Sequence, residues 1–168
     1  DFDSWDRCVT RGFPASMFPF RYNNGIRIFQ SPGNVTIMLE MLGTRIIPVS
    51  GEGEPWPEGV DGWFGNSRGR WIDDNTLEVV TTNIKPGASA LNVATRGVPS
   101  GNTLPMSEEV TVTERFHMVG PDTITYEMEY SDPIVWEDDF TLRANWSRDD
   151  DYEFYEYACH EGNVQVRG

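Results

Sequence analysis

Lysine is nearly missing from this 168-residue chain. Of thirteen basic residues twelve are arginine and one is Lys85, against 27 aspartates and glutamates. The net charge of −14 leaves no basic stripe, which excludes phosphate-driven nucleic-acid binding and docking on anionic lipid. Long apolar runs are missing too. A membrane-spanning helix needs roughly 18 consecutive apolar residues, and the longest candidate, Val35 to Leu42, is broken by Thr36 and Glu40, so no membrane insertion is expected. Histidine and cysteine are scarce, two of each, at spacings that match no zinc pattern. Neither a Gly-x-Ser-x-Gly elbow nor a phosphate-binding glycine loop occurs. The chain opens at Asp1 rather than Met and shows no apolar leader, as expected of a mature or trimmed chain or of an excised piece.

Aromatic residues, by contrast, make up 12% of the chain and apolar residues 38%, enough to exclude intrinsic disorder. The length fits one domain over 1–168, which buries roughly 70% of its unfolded surface. Arginine holds carboxylates bidentately and tolerates partial burial better than lysine. The arginine bias therefore points to structural or ligand-facing guanidinium groups.

Helical periodicity is nearly absent, and period-2 alternation between Gly, Pro, Asn and Asp turns replaces it. Strands are predicted over 25–30, 35–41, 44–49, 68–72, 76–84, 110–118, 124–130 and 140–146, with a last strand over 152–159. Ser50 to Asn66 and Lys85 to Met106 read as long loops, which in compact domains are often functional. Eight or nine antiparallel strands with sequential connections predict an all-β, up-and-down barrel of the lipocalin or calycin kind, with a jelly-roll-like sandwich as the alternative.

Cys8 and Cys159 lie near opposite ends. Joined, they would close nearly the whole chain, worth on the order of 4–5 kcal/mol in the chain-entropy model, and would imply an exported protein. Two separate buried thiols are the alternative. No cofactor is expected. Calcium on Asp138-Asp139 or Asp149-Asp150-Asp151 competes with the ordinary reading of such runs as solvated turns.

A charge on an apolar face is the informative sign. Along 110–118 the even-numbered residues are apolar except Glu114. An inward carboxylate has its pKa raised unless it is paired, so Glu114 is either a working acid or half of a structural ion pair. Glu40 closes an apolar strand and Arg45 follows the turn at Gly43. Both are candidate ligand-binding residues, or a buried pair. His160 and Tyr157 sit in a polar, aromatic C-terminal segment, where His160 is a candidate acid–base group. His117 falls on the polar face. Trp56, Trp63 and Phe64, in the first long loop, form either a stacking platform or a plug of local core.

Several stretches carry a resemblance. Gly69-Arg70-Trp71 with Asp74 and Thr76-Leu77 is similar to a GRWEGDTL signature. Glu114-Arg115-Phe116, with Asp122-Thr123 and Asp132-Pro133, resembles the ERF…DT…DP stretch of the same proteins. Residues Tyr155 to Asn163 resemble their C-terminal YEYACHEGN, and Arg7-Cys8, Gly12, Pro14 and Gln30-Ser31-Pro32-Gly33 also fit. The resemblance is to a broad group of exported bacterial proteins. It implies a periplasmic or secreted chain and strengthens a Cys8–Cys159 bridge, but carries over no activity.

The expected function is a periplasmic β-barrel that binds a small organic molecule. If it is also an enzyme, the chemistry is proton transfer (lyase, isomerase or hydrolase). Glu114 would then be the acid or base, Arg45 would orient an anionic or carbonyl group, and Tyr126 would donate a hydrogen bond. A non-catalytic accessory subunit steered to a basic protein partner and a carbohydrate-binding module using Trp56 and Trp63 are the alternatives.

Overall fold

The computed structural model describes residues 7–20, 22–49, 56–85 and 105–164. Residues 50–55 of the first long loop and 86–104 of the second lie outside the described residues. Eight strands form two antiparallel sheets: β1 (Ile26–Ser31), β2 (Asn34–Leu39) and β3 (Gly43–Pro48) in one, and β4 (Asn66–Asp73), β5 (Thr76–Thr82), β6 (Thr111–Gly120), β7 (Thr123–Ser131) and β8 (Phe140–Ser147) in the other. One 3-10 turn, Ala15–Met17, is the only helical element among the described residues. Among the described residues every ladder joins strands that are consecutive in the chain. Among the described residues no ladder joins the two sheets, so they do not close into one hydrogen-bonded barrel.

Short turns set the register. Ser31 pairs with Asn34 across Pro32-Gly33, and Gly120 pairs with Thr123 across Pro121-Asp122. At the β4–β5 turn Asp73 accepts the Asn75 N–H at 2.8 Å, so a side chain stands in for a backbone turn bond. The ladder slips one residue between Trp71 and Asp73, a bulge that takes up the extra Ile72.

Alternation sorts the faces. Val35, Ile37 and Ile47 from the smaller sheet meet Val79, Val112, Met128 and Tyr130 from the larger one, all buried. On the β3–β4 side the two sheets touch closely at Gly69. A Cβ there would sit 3.0–3.2 Å from Val49, Ile47 and Leu77, a tight fit that glycine relieves. The β1 and β8 sides are different. Past Ile26, β1 is exposed, and the inner residues of β8 are only half-buried.

The outer face of the five-stranded sheet carries one row of alternating charge. Register aligns Arg70, Glu78, Arg115, Glu127 and Arg143 across all five strands. Arg70 donates to Glu78 (2.6 Å), Arg115 to Glu78 (3.0 Å) and to Glu127 (3.3 Å), and Arg143 Nε to Glu127 (3.0 Å). Each carboxylate is shared by two guanidinium groups, a geometry that suits arginine and not lysine.

The expected ninth strand does not form. Residues 152–158 make no ladder and are mostly exposed. Their rings find single contacts instead. Tyr152 reaches Glu40, the Arg27 guanidinium lies 4.7 Å from the Phe154 ring, and Tyr157 stacks on Tyr22. The segment is a strap fixed by side chains, and its end is tied down by the Cys8–Cys159 disulfide.

Candidate functional site

Three of the residues singled out by sequence converge at one point. Strand parity turns Glu114 inward from β6, and its side chain has 0% exposure. Arg45, 1% exposed, reaches it from the opposite sheet. The pair is bidentate: Nη1 to Oε1 at 2.9 Å and Nη2 to Oε2 at 2.6 Å. Tyr126, inward from β7, donates its hydroxyl to Oε1 at 2.9 Å. Arg45 Nη2 also meets Ser67 Oγ (3.1 Å) and Thr81 Oγ1 (3.3 Å), which bond one another at 2.9 Å. The guanidinium carbon lies 4.1 Å from the centre of the Phe13 ring. Burial, followed by the Glu114 charge, pushes the Tyr126 phenol well above its ordinary value, with Arg45 opposing. The phenol therefore stays a proton donor in the hydrogen bond.

Glu114 thus has three charge-assisted donors and no contact with water. A carboxylate so placed has its acceptor positions taken up by the Arg45 guanidinium and the Tyr126 hydroxyl. The cluster links the two sheets through one buried ion pair.

The groove is elsewhere. A cavity of about 920 Å³ opens between β1 and the β7–β8 edge. Its apolar wall includes Ile28, Leu39, Met118, Ile124 and Trp146. Trp146 stacks on Tyr126 with ring centres 4.6 Å apart, so the wall of the groove is the back of the Glu114 cluster. A second recess of about 410 Å³ shares Ile28, Met118 and Ile124 with it and continues toward Trp71 and Leu77.

Glu40 lines the groove and is 4% exposed. It is not paired with Arg45. Its Oε1 accepts Asn23 Nδ2 at 3.0 Å. Its Oε2 accepts the Gly25 N–H at 2.9 Å and the Tyr152 hydroxyl at 2.7 Å. A Cβ on Gly25 would fall 2.8–3.0 Å from Glu40, Tyr152 and Phe154, so glycine lets the strap approach here. The bond to Glu40 raises the exposed Tyr152 phenol. Arg11, also buried and lining the groove, contacts Phe18 O at 3.4 Å and the Phe20 ring at 4.7 Å. Burial lowers it to about 10, against the pull of Tyr157 and Tyr22, and it remains a cation at neutral pH.

The other expected residues are scattered. Trp63 is half-buried and packs on the core, with Lys85 Nζ 5.4 Å from its ring. Trp56 lies over Gly62, and no ring contact joins the two tryptophans among the described residues. Tyr157 belongs to the strap, and His160 is exposed beyond the disulfide, outside both the groove and the Glu114 cluster. His117 bonds Thr76 on the outer face. Asp150 is paired with Arg148 at 2.7 Å, and Asp149 accepts the Asp151 N–H at 3.1 Å. No group of three or more His, Cys, Asp or Glu converges among the described residues. Sequence reasoning missed Phe13, Ser67, Thr81, Asn23 and Arg11. Ser67 shares an inner-face parity with Gly69, and that alternation was the one available signal.

Comparison with family models, curated proteins and solved structures finds no match. Among the described residues no helix is long and apolar enough to cross a membrane.

Proposed function

We propose that the protein is a periplasmic or secreted binder of a small organic molecule, and that the molecule sits in the groove between β1 and β7–β8. The groove carries this reading. Its volume lies in the range of small-molecule sites, and a mostly apolar wall with a few convergent polar groups is their usual lining. The disulfide supports export, since such bonds persist in oxidising compartments. The strand order supports an up-and-down, lipocalin-like barrel whose strands, among the described residues, are unpaired between β3 and β4 and open between β1 and β8. A jelly roll would pair non-consecutive strands, and here each ladder joins neighbours in the chain. Binding needs no chemistry from Glu114, whose charge is already matched by Arg45.

The test fills the groove. Ala144 lies on the inner face of β8 and lines the cavity. Ala144→Trp places an indole there. The neutral fluorescent probe N-phenyl-1-naphthylamine is expected to bind the wild type and to lose at least about tenfold in affinity with the variant, while the far-ultraviolet spectrum is unchanged. Equal affinity for both proteins would place the site elsewhere.

A further inference from the structure

We infer that the groove selects molecules carrying a protonated amine beside an apolar ring or chain, with Glu40 as the recognition group; this rests on the groove reading above. A carboxylate offers about four acceptor positions. Glu40 uses three of them, two on Oε2 and one on Oε1, leaving one on Oε1. All three donors are neutral. No cation lies within ion-pair distance of Glu40 among the described residues. This is the opposite of Glu114, where a guanidinium matches the charge. A carboxylate 4% exposed without a counter-charge among the described residues is unfavourable, and a ligand ammonium would supply that charge.

The remaining charges on the groove lining agree. Arg11 is directed to Phe18 O and the Phe20 ring. Arg148 is held by Asp150, just outside the lining. Asp122 and Asp149 also line the groove, and Asp122 faces Arg148. Three carboxylates, Glu40, Asp122 and Asp149, stand on the lining against two guanidinium groups, and the net charge of −14 draws cations toward the protein. Trp146 on the apolar wall offers a ring face that favours a neighbouring cation. An anionic amphiphile would meet Glu40 as a repulsive charge in place of an attractive one.

Three probes with one ring and different heads separate the effects: 1-naphthylmethylamine, 1-naphthylmethanol and 1-naphthoate, titrated calorimetrically into the intact protein at neutral pH. On the wild type the amine is expected to bind at least about tenfold tighter than the alcohol, with naphthoate weakest. Glu40→Gln is expected to abolish the advantage of the amine over the alcohol. Equal binding of amine and alcohol to the wild type would overturn the amine preference while leaving the groove reading standing. So would a Glu40→Gln protein that keeps the preference. Failure of all three probes to bind would overturn both. The wild-type comparison needs no variant, so a misfolded Glu40→Gln protein does not shield the inference.

Discussion

Methionine in place of Arg45 keeps much of the side chain's length and removes the cation that matches Glu114. The carboxylate would keep Tyr126 as a donor but would remain fully buried with an unbalanced charge. Breaking a buried pair from one side costs about 3–5 kcal/mol, far more than the pair is worth against an apolar replacement. Arg45→Met is therefore expected to lower the unfolding free energy by that amount in urea denaturation, with probe binding in the groove preserved at low denaturant. A loss under about 1 kcal/mol would show that the cluster does not hold the sheets together. Sequence parity made this site partly legible. It turned Glu114 inward and put Tyr126 on an apolar face, while Arg45 was singled out by its place after the Gly43 turn. It did not show whether the carboxylate was pinned or free, because the cation comes from a strand 69 residues away in the other sheet. Glu40 was read as a candidate ligand-binding residue or as a partner for Arg45, the second because the two are close in the chain. Space separates them, since Arg45 points into the core and Glu40 toward the groove.

At the scale of elements, period-2 alternation located all eight strands to within a few residues, since inner positions of a packed sheet must be apolar. The same pattern misled at 152–159. Rings alternating there with Glu153 and Glu156 look like a strand, yet they serve side-chain contacts to Glu40, Arg27 and Tyr22 and the segment joins no ladder. The groove was not legible at all. It arises from the separation of β1 and β8, and no periodicity along one strand encodes the gap between two sheets. The strap gives a sharp expectation for the disulfide. Cys8 and Cys159 are 151 residues apart, so the bond restrains nearly the whole unfolded chain. Replacing both by serine is expected to remove about 4–5 kcal/mol, or roughly 8–20 °C of melting temperature for a domain of this size. Because the strap contributes no ladder, the β-sheet spectrum should survive at low temperature, and limited proteolysis should cut first within 148–164. A variant that loses its sheet signal at low temperature would mean that the strap is needed to form the sheets and not only to fasten them.

For the whole molecule the arginine bias and the acid excess have one consequence for pH. Glu78 is held below the ordinary glutamate value by its hydrogen bond from Arg70, with partial desolvation opposing and Arg115 assisting. Glu127 is held down by Arg143 and then Arg115. In Asp132 desolvation pushes the carboxyl up, but the backbone and hydroxyl donors of Ser107 and the backbone N–H of Val135 outweigh it. A carboxyl with a depressed folded pKa binds its proton more readily when unfolded. Its stabilisation is fully present above the unfolded value, near 4.5 for glutamate, and is lost as pH falls through the folded value. The acidic net charge acts the other way, because repulsion fades as pH approaches the isoelectric point near 4.4. The two effects meet in the same range. The melting temperature is therefore expected to change little between pH 7 and about 5 and to fall steeply below about 4.5. The arginines of the row are largely exposed, so salt should flatten the acid limb without abolishing it. Glu78→Gln with Glu127→Gln isolates the row: the double variant should melt lower than the wild type at pH 7 and converge with it near pH 3. Parallel curves for the two proteins, offset by the same amount at every pH, would show that the alternating row contributes by packing and not by charge.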